Sequence, residues 1–146
     1  MIFLSSDHAG FETKEKLKAY LVEIGYQTKD MGAFNYDEQD DYPDFVLPVA
    51  QKVSEDPENN RGIVLGGSGQ GEAMCANRIK GIRAVVFYGG PEEIIKLSRE
   101  HNEANILSLG ARFLDDEEAK SAVKLWLETP FSNEERHKRR IKKIDD

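Results

Sequence analysis

The sequence predicts an α/β fold, a three-layer, Rossmann-like sandwich with a five-stranded parallel sheet and an extra C-terminal helix. Apolar segments of strand length alternate with amphipathic helical segments along the whole chain, which is typical of a parallel sheet with helices on both faces. The length of 146 residues suits one domain, and 39% hydrophobic with 32% charged residues is typical of a globular protein. Because we find no internal repeat, low-complexity segment or linker, we expect residues 1–146 to form one domain.

In the first half of the chain, MIFLS predicts a strand and YQTKDMG a short second strand. Residues 11–24, between them, are predicted to be helical because apolar side chains recur there at helical spacing. The segment AFNYDEQDDYP is too polar to pack by itself and is predicted to be a loop. The next helix has its apolar face at Val46, Val49, Ala50 and Val53.

The second half begins with GIVLGG as the third strand, followed by a glycine-rich turn and a short helix. IRAVVF and NILSLG supply the fourth and fifth strands, and residues 91–100 between them predict a helix with Pro91 in its first turn. A helix over residues 116–128 would bury Ala119, Ala122, Val123 and Trp126. A charged helix over about residues 133–143 completes the chain.

Composition narrows the classes of function. The apolar runs are too short to span a bilayer, and the N-terminus lacks the pattern of a signal peptide, so no membrane association is expected. A single cysteine, Cys75, excludes an internal disulfide and a cysteine-rich zinc site, which makes the reducing cytoplasm the expected compartment. The net charge of −7 argues against a nucleic-acid partner. Six of the 20 Lys and Arg residues nevertheless lie within residues 136–143, and such a basic tail could bind a small anion or a partner.

The segment GGSGQGE, residues 66–72, follows the third predicted strand and opens a helix. Its glycine spacing fits neither the dinucleotide fingerprint nor the Walker A loop, which disfavours a nucleotide-binding module. A run of backbone N–H groups at the start of a helix binds anions or oxyanions. A tight turn without a ligand is the alternative, but four glycines within six residues exceed what a turn requires.

Glu72 closes this segment, and two roles fit it. With Gly69 as the N-cap, Glu72 would be the third residue of the helix, where a carboxylate can cap backbone N–H groups. A carboxylate beside an oxyanion-binding loop is equally suited to proton abstraction next to a carbonyl. The loop then stabilises the developing enolate oxygen while the carboxylate takes the carbon-bound proton.

Other polar residues stand near the ends of predicted strands, where parallel sheets bind ligands at the carboxyl edge. Asp7 and His8 follow the first strand, although Asp7 could simply be the N-cap of the next helix and His8 a polar loop residue. Arg112 follows the fifth strand and could be an ordinary surface residue. His101 and Asn102 instead precede the fifth strand, at the opposite edge. A catalytic His101 would therefore serve the site of a symmetry mate in a twofold dimer, and a structural role is its alternative.

The last helix places Arg136, Arg139 and Arg140 on one face. Arginine suits bidentate contacts with phosphate, so this face predicts a phosphate clamp, with a solvated basic tail as the alternative. We expect the C-terminal arm, about residues 131–146, to lie at the interface with a partner copy.

Five segments of the chain, in order, resemble the ribose-5-phosphate isomerase B family, which includes the galactose-6-phosphate isomerase subunits. They are SSDHAG, DYPDF, GIVLGGSGQGEAMCANRIKGIRAVV, LSREHNEANILSLGAR and ERHKRRIKKI, and they cover nearly the whole chain. The resemblance implies an enzyme that interconverts ribose 5-phosphate and ribulose 5-phosphate through ring opening and a cis-enediolate, without metal or cofactor. It also implies a homodimer that can pair into a tetramer, with sites shared between subunits.

The resemblance also assigns roles to residues. Asp7 and His101 match the acid and base of ring opening, and Ser68 matches a hydroxyl that helps move a proton between O1 and O2. The positions that match substrate-binding residues are His8, Tyr42, Gly67, Gly69, Gly71, Asn102, Arg112, Arg136, His137 and Arg140. The phosphate contacts among them are assigned to His8, Arg112, Arg136 and Arg140, with His137 assisting.

One departure from the family pattern bears on the catalytic base. Many members carry a cysteine base just before the glycine loop, where this chain has Gly66. The chain resembles instead a subgroup that uses a glutamate at the position of Glu72. Cys75 does not match the cysteine position and is predicted to be a small buried core residue.

Two alternatives to a ribose-5-phosphate isomerase stay open, namely an isomerase of hexose 6-phosphates such as allose or galactose 6-phosphate, and a non-catalytic sugar-phosphate-binding subunit.

Overall fold

The computed structural model describes residues 1–146 and contains five strands between layers of helices. The strands are β1 (Ile2–Ser6), β2 (Thr28–Asp30), β3 (Arg61–Gly66), β4 (Ala84–Phe87) and β5 (Ile106–Gly110). They form one sheet in the order β2-β1-β3-β5-β4, and every pair of neighbours is parallel. The predicted α/β fold with a five-stranded parallel sheet is therefore confirmed.

Six α-helices connect and cover the strands. They are α1 (Phe11–Glu23), α2 (Pro43–Glu55), α3 (Gln70–Ala76), α4 (Glu93–Glu100), α5 (Asp116–Glu128) and α6 (Glu135–Asp145). One 3-10 turn follows β1 (His8–Gly10) and another follows β5 (Ala111–Phe113). Helix α5 has the predicted bounds, whereas α4 begins two residues later than predicted, which leaves Pro91 outside it. None of the helices combines the length and apolar character that a membrane span needs.

Two apolar cores lie on the two faces of the sheet. Successive residues of a strand point to opposite faces, so β3 contributes Leu65 to one core and Val64 to the other. The first core contains the fully buried Trp126 of α5 together with residues of α1 and α4. The second is formed by α2 and α3 and includes the predicted face of α2. Cys75 packs against this second core but is only half-buried, so the prediction that it is a small buried core residue is correct in location and wrong in degree of burial.

The connections of the sheet bring two sequence segments to one crevice. Strand β1 leads to β2 on one side, whereas β3 pairs with β5 on the other, so the direction of winding changes between β1 and β3. In open α/β sheets, ligands bind at the carboxyl ends of the strands at such a switch point. Asp7 follows β1 directly and the glycine-rich segment follows β3. The fold therefore places both segments at the expected ligand-binding edge.

Helix α6 lies at the opposite, amino edge of the sheet. Arg83, which precedes β4, donates a hydrogen bond from Nη1 to Asp145 Oδ2 at 2.7 Å. The side of α6 that faces its own protomer buries His137 and Ile141. The remaining face of the helix, which carries the arginines, is exposed.

Candidate active site

The glycine-rich segment, residues 66–71, lies tightly against the end of β5. Gly69 is the N-cap of α3, as predicted, and its φ of 76° is in the left-handed region that favours glycine. A Cβ atom at Gly69 would lie 3.0 Å from the carbonyl carbon of Leu109, so the close approach also excludes a side chain. The Ser108 hydroxyl donates to the Gly69 carbonyl at 2.7 Å and holds the segment in place. The resulting turn can direct backbone N–H groups at an oxyanion.

Glu72 is the third residue of α3 and is only 4% exposed. At the start of this helix the Gln70 backbone N–H donates to Ser68 Oγ at 3.3 Å. The Glu72 carboxyl group interacts with its own backbone N–H, so it contributes locally to the capping role considered for it. The carboxyl group also lies over Gly66. A Cβ atom at Gly66 would overlap this carboxyl group, at 2.6 Å from Oε2 and closer still to Oε1. The carboxyl group of Glu72 therefore occupies the space that a side chain at position 66 would need.

The surroundings of Glu72 favour a role as a proton acceptor. Burial raises the pKa of Glu72 above its ordinary value, its own backbone N–H partly offsets this, and the charge of Asp7 raises it further. A carboxylate with a raised pKa is a better general base near neutral pH. Burial and the charge of Glu72 also raise the pKa of Cys75, which makes that thiol a poor base or nucleophile.

Both predictions made for Asp7 agree with the structure. It is the N-cap of the turn that follows β1, and it lies at the carboxyl edge of the sheet. Its Oδ1 accepts hydrogen bonds from the backbone N–H groups of Ala9 at 2.9 Å and Gly10 at 3.2 Å, which makes it the N-cap of the 3-10 turn. The side chain is nevertheless near enough to Glu72 for its charge to raise the pKa of that residue. Oδ2 takes no part in the two capping bonds.

His8 is paired with Asp40, a residue that the sequence reasoning missed. The His8 Nδ1 atom lies 2.7 Å from Asp40 Oδ1, and the His8 backbone N–H donates to the same oxygen at 3.1 Å. The pKa of His8 is raised, and the largest cause is the hydrogen bond with Asp40. The charge of Asp7 raises this pKa further, whereas burial and the charge of Arg112 lower it. Asp40 belongs to a loop rich in acidic residues, and no spacing in the sequence distinguishes it from its neighbours.

Tyr42 and Arg112 flank the glycine-rich segment. A Cβ atom at Gly71 would lie 2.6 Å from the Tyr42 hydroxyl oxygen, and one at Gly67 would lie 3.0 Å from Arg112 Nη1. Each of these glycines therefore makes room for one particular side chain. We use the name carboxyl-edge cluster for the residues gathered here, which are Asp7, His8, Tyr42, Gly67, Ser68, Gly69, Gly71, Glu72 and Arg112.

The other predicted site residues lie at the opposite edge, and we call them the amino-edge cluster: His101, Asn102, Arg136, His137 and Arg140. The rings of His101 and His137 stack with their centroids 4.3 Å apart and their planes 16° from parallel. Asn102 precedes β5, and its carbonyl accepts a hydrogen bond from Arg83 Nε at 3.0 Å. The structure thus leaves this cluster apart from the glycine-rich segment, as the position of His101 before β5 predicts.

One group of side chains could hold a metal ion by geometry alone. The potential ligand atoms of Asp7, His8 and Asp40 lie within 4.8 Å of one another. Two of these residues already bond each other, and Asp7 Oδ1 is used by the backbone of the 3-10 turn. The Oδ1 atoms of Asp7 and Asp40 are thus already engaged as hydrogen-bond acceptors.

The fold and the carboxyl-edge cluster define a three-layer α/β protein with a glycine-rich turn at the carboxyl edge of the sheet and a buried carboxyl group beside it. Residues 2–144 match the sequence model of the Ribose/Galactose Isomerase family. The chain belongs to this family, and the resemblance read from the five sequence segments is confirmed.

Curated relatives and solved structures agree with this assignment. Ribose-5-phosphate isomerase B of Mycolicibacterium paratuberculosis is 44% identical over 140 residues, which cover 96% of this chain and 86% of the relative. The crystal structure of ribose-5-phosphate isomerase B from Mycoplasma genitalium with bound ribulose-5-phosphate is similar with a TM-score of 0.93 at 38% identity, covering 98% of this chain and 92% of that one. The enzyme of the same name from Thermotoga maritima gives a TM-score of 0.90 at 42% identity, with 99% and 96% covered.

Proposed function

We propose that this protein interconverts ribose 5-phosphate and ribulose 5-phosphate, with Glu72 as the base that moves a proton between C1 and C2. The observation that carries the proposal is the buried Glu72 carboxyl group, held over Gly66 beside the glycine-rich segment. The ribulose-5-phosphate bound in the Mycoplasma genitalium structure supports the choice of substrate. The single cysteine is a free thiol, which fits the cytoplasm as the proposed compartment.

The proposed reaction has two stages. In ring opening, Asp7 and the His101 of a second copy act as the acid–base pair, so that the O1 hydroxyl loses a proton and the ring oxygen gains one. Glu72 then removes the proton from C2 of the open aldose, and the backbone N–H groups of the glycine-rich segment stabilise the resulting enediolate. The Ser68 hydroxyl carries a proton between O2 and O1, and Glu72 returns its proton to C1 to give the ketose.

The proposed site is shared by two copies of the chain. The carboxyl-edge cluster contains Glu72 but only one arginine, whereas the amino-edge cluster contains His101 and two exposed arginines but no carboxylate. A twofold homodimer that sets the amino edge of one copy against the carboxyl edge of the other completes two sites. In this arrangement the C-terminal arm lies at the interface, and Arg136 and Arg140 bind the substrate phosphate.

Subunit mixing tests the shared site. Glu72→Gln and His101→Asn should each be nearly inactive, whereas a mixture that has exchanged subunits should recover up to about a quarter of wild-type activity, because half of the dimers contain one intact site of two. If the mixture stays inactive although mixed dimers form, the two clusters do not act in one site.

The role of Glu72 is tested by turnover of ribose 5-phosphate. Glu72→Gln should lower kcat by about 10²- to 10⁴-fold because it removes the base without changing the side-chain volume. Cys75→Ala is the matched control in the same helix and should keep wild-type kcat. Wild-type turnover in Glu72→Gln together with loss of activity in Cys75→Ala would show that the assignment is wrong.

A hexose 6-phosphate is the second candidate substrate, because the family that the chain matches includes galactose isomerases by its description. The loop of residues 31–42 is next to the proposed site through Asp40 and Tyr42, and its shape would set the length of the pocket. Steady-state kinetics on ribose 5-phosphate, allose 6-phosphate and galactose 6-phosphate separate the candidates by their kcat/KM values. Tight binding of these sugars without turnover would instead support a non-catalytic subunit.

A further inference from the structure

We propose that Asp40 is a positioning residue that holds His8 as an imidazolium and leaves its Nε2–H group free to bind the substrate phosphate. The inference rests on the proposed function, because it takes a sugar phosphate as the ligand of His8. It adds a residue, Asp40, that no motif in the chain distinguishes.

The geometry fixes both the position and the tautomer of the imidazole. Asp40 Oδ1 accepts one hydrogen bond from the His8 backbone N–H at 3.1 Å and lies 2.7 Å from the ring Nδ1. A carboxylate oxygen can only accept, so Nδ1 must carry a proton. The remaining ring nitrogen, Nε2, is therefore the one that can face a ligand. When the ring is charged, Nε2 also carries a proton and donates to an anion.

The burial of Asp40 and His8 favours a charged pair. The Asp40 side chain is 8% exposed and that of His8 is 24% exposed. Asp40 Oδ2 is buried without a hydrogen-bond partner. Asp40 forms an ion pair with His8 through its other oxygen, Oδ1. A buried carboxylate needs a nearby cation. A proton on His8 supplies that cation, so Asp40 and His8 stabilise each other in the charged form.

The neighbours of His8 show why such a partner is needed. His8 is faced by Asp7 on its own segment, by Arg112 from the turn after β5, and by the Tyr36 ring, whose centroid is 6.3 Å away. The charge of Arg112 lowers the pKa of His8, since two cations repel. Asp40 offsets this repulsion from the side opposite the ligand. Two cations can then stay together where a phosphate dianion binds.

The test separates the charge of Asp40 from its shape. Asp40→Asn keeps an oxygen acceptor but removes the charge, so KM for ribose 5-phosphate at pH about 8 should rise about tenfold while kcat stays within about twofold. The ratio of mutant to wild-type KM should fall toward one at pH about 6, where His8 takes up a proton without help. Asp41→Asn removes the same charge from an exposed neighbour and should leave KM unchanged.

A double-mutant cycle excludes a merely structural role. His8→Asn keeps a donor at the position of Nδ1 but has no Nε2, so adding Asp40→Asn should raise KM no further. A structural role of Asp40 in holding the loop would raise KM by the same factor in both backgrounds, which would overturn the proposal. So would an unchanged KM at pH about 8 in a folded Asp40→Asn protein.

A binding readout keeps the inference separate from the proposed function. Turnover of ribose 5-phosphate by the wild type tests the function alone. NMR titration of the His8 ring, with and without inorganic phosphate, tests the inference even if no sugar is turned over. Asp40→Asn should lower the pKa of His8 and weaken phosphate binding at pH about 8 by about tenfold. An unchanged pKa of His8, or equal phosphate affinity, contradicts the role of Asp40.

Discussion

Substitution of Gly66 by alanine probes the contact on which the proposed base depends. The added Cβ atom would lie 2.6 Å from Oε2 of Glu72 and closer still to Oε1, so the carboxyl group would have to leave its position. The φ angle of Gly66 is not in the left-handed region, so alanine causes no backbone strain there. Any loss of stability therefore comes from the overlap with Glu72.

The size of the effect follows from two opposing contributions. Overpacking at a closed site costs about 1–3 kcal/mol, whereas replacing an unstrained glycine by alanine stabilises by about 0.4–1 kcal/mol. Because the Glu72 side chain is only 4% exposed and has little room to move, we expect the overlap to dominate. Gly66→Ala should destabilise the protein by about 1–2 kcal/mol. In a Glu72→Ala background the same change should be neutral or stabilising.

Urea unfolding of the wild type, the two single variants and the double variant gives the coupling free energy. We expect a coupling of about 1–3 kcal/mol, and a loss of about 10²-fold in kcat for Gly66→Ala because the base is displaced. Gly66→Ala combined with Cys75→Ala is the control and should be additive. If Gly66→Ala destabilises the Glu72→Ala protein as much as the wild type, the overlap is not with Glu72 and the reasoning is refuted.

Three further predictions concern buried ionisable groups. Glu72→Gln should raise the free energy of unfolding at neutral pH, because the raised pKa of Glu72 makes its charged form unfavourable in the folded state. This gain in stability should disappear when the pH falls below 4.5, the ordinary pKa of a glutamate carboxyl group. Equal stability of the wild type and Glu72→Gln at neutral pH would contradict the prediction. Burial lowers the pKa of His137, so the wild type should lose stability relative to His137→Gln as the pH falls below 6.5. A difference in urea midpoint between the two proteins that stays constant with pH would contradict this prediction. Lys14 Nζ is buried and donates to Asp30 Oδ1 at 2.8 Å and to the Ala33 carbonyl at 2.6 Å. In thermal unfolding Lys14→Met should cost about 3–5 kcal/mol, against less than about 1 kcal/mol for the exposed Lys16→Met, and similar losses would contradict the buried role of Lys14.

The fold was predictable because local patterns fix which faces are buried. The apolar face of α2 and the bounds of α5 follow from helical spacing alone, and the structure confirms both. The start of α4 was not predictable in this way, since a proline fits before a helix as well as within its first turn. The glycine-rich segment was recognisable because its glycines meet separate requirements, namely a left-handed φ at Gly69 and close contacts at the others.

The environment of the site was less accessible to sequence reasoning. His8 and Asp40 are 32 residues apart, and only the folding of the loop back onto the 3-10 turn brings them together. The raised pKa of Glu72 likewise results from burial under neighbouring segments, which no spacing in the chain encodes. Sequence therefore identified residues with suitable chemistry, whereas tertiary contacts determine their charge.

The separation of the two clusters limits how this chain can form one site. Strand β5 contains five residues and lies between the amino-edge and carboxyl-edge clusters, so it holds the two edges about 16 Å apart. This distance is several times that of a hydrogen bond, and His101 is held at its edge by stacking on His137. One protomer therefore cannot bring His101 and Glu72 to the same small sugar. If both act on one substrate, the catalytic unit is a pair of chains, and the buried face of α6 serves to hold the exposed arginines toward the partner.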